Sequence, residues 1–235
     1  PIGFNISGGL DSSALLALAN VSQKDISKIE AFTFYTGDEN YDELPWVKQI
    51  IASYKSPLNK VLLSTKELPE LAKYLSKIQD EPFGGVPTLA YSKLFSFASK
   101  KGIKVLLDGQ GMDEQLAGYD YYRNSSNFTI QGVHKSPFRK NMLQSSYIAN
   151  NTLKNKYPQP FETSVENLQY RDLFYTKIPR ALRFNDRISM AYSTELRTPF
   201  LDYRLVEFGF SLPVTSMSLA VGLFIISTST DFKSP

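Results

Sequence analysis

The stretch that decides the fold is Ser7-Gly8-Gly9-Leu10-Asp11-Ser12-Ser13, placed between a short apolar strand, Ile2 to Ile6, and an amphipathic helix from about Leu10 to Ala19. A strand, a glycine loop and a helix in that order form a phosphate grip. Gly8 and Gly9 carry no Cβ, so the backbone can approach an anion closely. Ser12 and Ser13 add hydroxyls, and the helix directs its free N–H groups and the positive end of its dipole at whatever the loop holds. The Asp11 carboxylate would be repelled by a bare phosphate there, so it suits a magnesium ion riding on the phosphates. Read structurally alone, the same residues form an ordinary turn and an N-cap.

The loop is not a Walker A sequence, which needs Gly-Lys-Ser/Thr after its spacer, and no lysine lies near it. Its pattern Ser-Gly-Gly-x-Asp-Ser-Ser resembles instead the pyrophosphate loop of the ATP pyrophosphatases, which split ATP into AMP and pyrophosphate.

Outward from the loop, apolar strands alternate with helices through the first half of the chain, the pattern of a parallel sheet covered on both faces. Strands are predicted at Ile29–Tyr35, Lys60–Ser64 and Ile103–Leu107, and helices at Glu43–Ser53, Lys66–Ile78 and Pro87–Lys100. The last strand ends in a second glycine loop, Asp108-Gly109-Gln110-Gly111-Met112-Asp113-Glu114. Ligands of open α/β sheets bind beyond the carboxyl ends of the strands, where strand order reverses, so two such loops can face one ligand. From about Tyr121 the chain turns to polar and aromatic loops with helical segments near Phe138–Asn150, Ser164–Tyr175, Pro179–Ala191 and Tyr203–Ser211. The expected division is a nucleotide-binding α/β region over 1–123, a helical region over 124–213 and a divergent tail over 214–235.

Composition narrows the chemistry. With 235 residues, 42% of them hydrophobic and 13% aromatic, the chain can bury a substantial core. Zero cysteines remove disulfides, thiolate metal sites and a cysteine nucleophile. A single histidine, His134, argues against a histidine metal cluster or triad and reads as an exposed loop residue. Twenty-six basic against 23 acidic residues, without a dense basic run, make poor evidence for a nucleic-acid partner. No secretory signal precedes the first strand, so a cytoplasmic location is expected and the Asn-x-Ser/Thr sequons at Asn5 and Asn127 are read as coincidence. The chain starts at Pro1, directly on the strand that feeds the loop, which suggests sequence removed upstream.

Three blocks in order carry a more specific resemblance. They are Ser7–Ser13, the run Asp108–Gly118 with Tyr119 behind it, and Arg183-Phe184-Asn185-Asp186-Arg187-Ile188-Ser189-Met190-Ala191, continuing through Ser193, Glu195 and Arg197 into Pro199-Phe200-Leu201-Asp202. Together they resemble the synthetase domain of glutamine-dependent asparagine synthetases, over about Ile2 to Pro213. The resemblance implies a Rossmann-like α/β sheet of the adenine-nucleotide hydrolase (HUP) type, ATP and Mg²⁺ as cofactors, and an AMP-forming amide ligase working through an acyl adenylate. Carried over by position, Ser7, Gly8, Gly9, Leu10, Asp11, Ser12 and Ser13 would hold pyrophosphate, with Asp11 and Asp113 as magnesium ligands. Phe34, Asp108 and Gly109 would flank adenine and ribose, although an aromatic in a strand is more often core. The substrates implied are aspartate or another carboxylate, and ammonia. An aspartate side chain, with a pKa near ~3.9, is already ionised at neutral pH and needs no base to attack the α-phosphorus.

Glu81, Glu114, Arg183 and Asp186 are candidate substrate contacts. Arg183, Asp186, Arg187, Glu195 and Arg197, spaced at three and four residues along an expected helix, can equally form a structural ion-pair network. Arginine also suits bidentate binding of carboxylate or phosphate.

The chain departs from the family pattern in three places. The second loop has Asp108 for serine and Gln110 for glutamate of the commoner Ser-Gly-Glu-Gly-x-Asp-Glu, so position 110 keeps hydrogen bonding but has no acid–base capacity. The family's amino-terminal glutaminase domain has no counterpart here, and a homodimer stays open. After Pro213 the family's arginine–lysine segment, whose lysine serves adenylation, is replaced by an apolar run from Val214 to Ile226, about half the ~20 residues of a membrane span. This tail, whose one lysine is Lys233, reads as an aberrant end or fragment boundary, leaving a pocket without that cation. The competing readings are a related enzyme activating another carboxylate, for sugar amidation or β-lactam formation, and a non-catalytic nucleotide-binding module. A tRNA-modifying pyrophosphatase fits the third block and the charge balance least.

Overall fold

A computed structural model of the chain describes residues 2–22, 29–54, 56–123 and 157–213. Expectations for His134, the helix near Phe138–Asn150 and the tail from Val214 lie outside these residues.

Among the described residues five strands form one sheet: β1 (Ile2–Asn5), β2 (Ile29–Tyr35), β3 (Leu58–Leu62), β4 (Val105–Leu107) and β5 (Glu195–Arg197). The order is β3-β2-β1-β4-β5 and every pairing is parallel. The chain winds outward from β1 to β3, then crosses back to lay β4 on the other side of β1. Strand order therefore reverses between β1 and β4, and a crevice opens at their carboxyl ends.

Side-chain alternation splits the core into two layers. Phe4 and Ala31, paired across β1 and β2, face α1 (Leu10–Ser22) and α2 (Leu44–Tyr54), packing with Leu15, Leu16, Val47 and Ile51. Phe32 and Leu106 face the opposite layer, formed by α3 (Leu68–Gln79), α4 (Val86–Lys100) and a later helix that supplies Ile188. Helices thus cover both faces, as the alternating pattern implies. Gly3 sits in β1 because the Phe32 ring occupies the place of a side chain: a Cβ there would lie 2.8 Å from Phe32 Cε2 and 3.2 Å from Ile103 Cγ2.

After β4 come two single-turn helices, α5 (Met112–Gln115) and α6 (Asp120–Arg123). They are too short for a periodic signal. The segment expected as one helix over Ser164–Tyr175 is instead α7 (Ser164–Arg171) followed by a π-helical turn, Asp172–Thr176. Thr163 caps α7 by accepting the Glu166 N–H. Next are α8 (Ile178–Ala191), with Pro179 in its first turn, and α9 (Tyr203–Ser211), capped by Asp202.

β5 corrects the sequence reading. Glu195 and Arg197 were expected to pair along a helix, yet they belong to a three-residue edge strand and bond to each other at 2.8 Å. Arg197 O accepts the Asp108 N–H, which ties the edge strand to the second glycine loop. No helix of the described residues is long and apolar enough to cross a membrane.

Gly3→Ala should force the Phe32 ring out of its rotamer or push β1 from β2, costing about 1–3 kcal/mol. Urea denaturation should show a lower midpoint at unchanged slope, and an unchanged midpoint would mean that the ring moves freely.

Candidate active site

The first loop is shaped by its own hydroxyls. Ser7 N donates to Ser12 Oγ at 3.2 Å, Gly9 N donates to Ser7 Oγ at 3.3 Å, and Ser13 Oγ donates to Gly9 O at 2.6 Å. Gly8 has φ +82°, a conformation that favours glycine, and a Cβ there would sit 3.2 Å from Trp46 Cβ. The loop is thus bent before any ligand arrives.

The second loop lies directly against it. A Cβ on Gly109 would lie 2.8 Å from Ser12 N and 3.0 Å from Asp11 C, so only glycine lets the two backbones approach this closely. Asp108 is buried beneath this contact. It accepts Asn5 Nδ2 at 2.7 Å, the Tyr91 hydroxyl at 3.1 Å and the Gln110 N–H at 3.1 Å. Burial holds its carboxyl above the ordinary range against these hydrogen bonds. Gln110 Oε1 is buried without a protein partner.

The loops open into a cavity of about 820 Å³ walled by the end of β1, the start of α1, the loop after β4, α4, α5 and α8. Asp11, Asp108, Asp113 and Glu114 all face it. Burial pushes Asp11 up to about 7, helped by the negative charges of Asp113, Glu114 and Asp108 and opposed by the nearby Asp113 backbone N–H. Asp113 and Glu114 are likewise raised by burial, with Lys177 and Tyr119 working against the shift. Glu114 accepts the Tyr119 hydroxyl at 3.1 Å.

A cation wall faces these acids. Lys177, between the π-helical turn and α8, places Nζ 3.5 Å from Glu114 Oε1 and 3.1 Å from the Tyr119 ring centroid. Burial lowers its pKa, with the Glu114 and Asp172 charges opposing. Arg180, one turn on, lines the same cavity. Neither was singled out from sequence, because Thr176-Lys177-Ile178-Pro179 carries only a helix-start signal, and the π-helical turn that aims Lys177 inward has no sequence pattern. Asn5, Tyr91 and Tyr119 were missed too, being ordinary strand or aromatic residues until the fold gathers them.

Of the residues expected here, Ser7, Asp11, Ser12, Asp108, Gly109, Gln110, Asp113 and Glu114 line the cavity. Gly8 and Gly9 of the first loop and Leu10 and Ser13 at the start of α1 do not form the cavity wall, and Phe34, half-buried at the end of β2, stands outside it. Glu81, Arg183 and Asp186 do not line it either. Arg183 pairs with Glu81 at 2.5 Å, joining α8 to the turn after α3, and Asp186 is exposed. Arg187 bonds the Gln79 carbonyl and lies 3.3 Å from Asp80. Arg183 and Arg187 therefore brace α8 against α3 through partners far along the chain, rather than pairing within one helix.

This arrangement has relatives. The asparagine synthase family model matches residues 1–219. The chain belongs to the asparagine synthase family. Among curated proteins it is similar to glutamine-hydrolysing asparagine synthetase 3 of Bacillus subtilis, at 28% identity over 91% of this chain and 39% of the relative. Glutamine-hydrolysing asparagine synthetase 2 of the same organism matches at 29% identity over 90% and 31%. The chicken glutamine-hydrolysing asparagine synthetase matches at 26% identity over 90% and 32%. The chain thus spans two fifths or less of the length of these relatives.

Among the described residues no group of three or more His, Cys, Asp or Glu side chains is arranged to hold a metal ion. Two facing carboxylates, Asp11 and Asp113, are nevertheless a donor set that fits magnesium, which takes one or two protein carboxylates and fills its shell with phosphate oxygens and water.

The raised Asp11 pKa carries a stability consequence. Its folded value of about 7 lies above the ordinary 3.8, so its contribution is fully present below pH 3.8 and is lost as pH rises through about 7. Asp11→Asn should stabilise the metal-free protein at pH 8 by about 1 kcal/mol, roughly 2–4 °C at this chain length, and have little effect near pH 4. An equal shift at both pH values in thermal unfolding would contradict the carboxylate repulsion.

Proposed function

We propose that this chain is the catalytic part of an ATP-dependent, AMP-forming amide ligase that activates aspartate as an acyl adenylate and passes it to ammonia. The observation that carries the reading is the packing of two glycine loops, Gly109 against Asp11 and Ser12, at the strand-order reversal of a parallel sheet. Family membership supports the same reaction.

In this reading the β- and γ-phosphates rest on the loop Ser7–Ser13, at the start of α1, with the backbone N–H groups and the helix dipole directed at them. Asp11 and Asp113 would hold magnesium, which when bound would supply charge neutralisation for the leaving pyrophosphate. An oxygen of the substrate carboxylate bonds to the α-phosphorus, the bond to the bridging α–β oxygen breaks, and pyrophosphate departs with the electron pair. No proton moves in that step, so the neutral amide of Gln110 serves by positioning. Ammonia then attacks the acyl carbon, the bond from that carbon to the phosphate oxygen breaks, AMP leaves with its electron pair, and one proton of the nitrogen is released to solvent. The chain's contribution is positioning and electrostatic complementarity, the terms that dominate phosphoryl-group chemistry.

Asp11→Asn should weaken ATP binding at least tenfold with magnesium present and less than threefold in excess chelator, measured by calorimetry. Equal losses in both conditions would remove Asp11 from the metal shell. With no cysteine in the chain, amide formation should require added ammonium salt, and glutamate released from glutamine by the pure protein would overturn that expectation.

A further inference from the structure

Both reactants of the proposed adenylation are anions, and they must meet in a cavity lined by four carboxylates. Lys177 and Arg180 are the only lysine or arginine residues on its described wall. They differ in setting. Arg180 is exposed, whereas the Lys177 side chain is only 13% accessible and its Nζ is buried without a well-formed hydrogen bond.

A buried ammonium that leaves its donors unused is costly and calls for an explanation. Glu114 alone does not provide it. The separation is 3.5 Å, and Glu114 Oε1 already accepts the Tyr119 hydroxyl. Lys93, on α4, shows how a structural lysine of this fold behaves: its Nζ donates to Leu62 O at 2.5 Å and to Glu67 at 2.6 Å.

The backbone beneath Lys177 is also held firmly. Asp172 accepts the hydroxyls of Tyr121, Tyr122 and Thr176 and pairs with Arg171, and the Lys177 N–H closes the π-helical turn on Asp172 O. Single π-helical turns recur at functional sites because the extra residue re-aims a side chain. Here the ring of Tyr119 supports the ammonium from one side and leaves its N–H groups for a ligand.

We propose that Lys177 is a catalytic residue of the adenylation half-reaction, its ammonium meeting the charge that builds as the substrate carboxylate approaches the α-phosphate, and that it plays no part in holding the nucleotide. The inference rests on the ligase reading given above. It also means that the cavity has a fixed cation of its own, independent of any lysine from the tail.

The test compares Lys177→Gln, which removes the charge, with Lys177→Arg, which keeps it, in the full chain with folding checked by circular dichroism. Magnesium–ATP affinity by calorimetry should stay within about threefold of the unaltered chain for both. Aspartate-dependent ATP–pyrophosphate exchange should fall on the order of 10²–10³-fold in kcat for the Gln variant, the range for one lost transition-state contact, and much less for the Arg variant. Exchange at the unaltered rate in the Gln variant, or equal losses in both variants, would overturn the role of the charge. So would a loss of ATP affinity that matches the loss of exchange. If the Gln variant does not fold, failure of the Arg variant to retain at least a tenth of the exchange rate counts against the proposal. An unaltered chain that binds magnesium–ATP but exchanges pyrophosphate with no carboxylate sinks the ligase reading and this role with it, a result distinct from unimpaired variants of an active chain.

Discussion

The contact between Gly109 and the backbone of Asp11 and Ser12 is the constraint on which the site depends. It exists because β1 and β4 are hydrogen-bonded neighbours, although about a hundred residues separate them along the chain. A side chain at position 109 would push the loops apart, and Asp113 would then be drawn away from Asp11, whose carboxyl feels the charge and the backbone N–H of Asp113. Asp108 secures the same junction from below, tied to Asn5 on β1, Tyr91 on α4 and the edge strand through Arg197 O. One glycine thus links sheet topology to the spacing of the acidic groups.

That spacing has an electrostatic cost. Asp11, Asp113, Glu114 and Asp108 crowd one cavity, and each is held above its ordinary range chiefly by burial. Repulsion among fixed carboxylates is tolerated where a cation is to be bound, and sites that perturb pKa values in a cleft are candidates for function. Lys177, 3.5 Å from Glu114, offsets part of it, and the rings of Tyr119, Tyr121 and Tyr122 pack together beside the ammonium.

The third sequence block illustrates how a charged pattern can be structural. Arg183 and Arg187 face Glu81, Asp80 and the carboxyl end of α3, so they fasten α8 to the helix beside it. Gln79 adds a buried bond to Phe184 O, and Ile188 fills the core layer below. The block positions α8, and α8 in turn carries Arg180 and the start of the wall at Lys177 to the cavity.

By itself the sequence determined the parallel α/β class, both glycine loops and the acids within them, because these are local signals: strand hydrophobicity, glycine at a strand end, a helix directly behind. It also showed where the second loop departs from its family, at Asp108 and Gln110. Only the tertiary structure decided that β4 lies beside β1, that Glu195–Arg197 is an edge strand, and that Phe34, Glu81, Arg183 and Asp186 stand away from the cavity. It likewise brought in Lys177, Tyr91 and Asn5. The reason is physical: spacing along the chain reports which face of an element a residue occupies, whereas its partners in the cavity depend on strand order and on a π-helical turn, both set by packing between segments far apart in sequence.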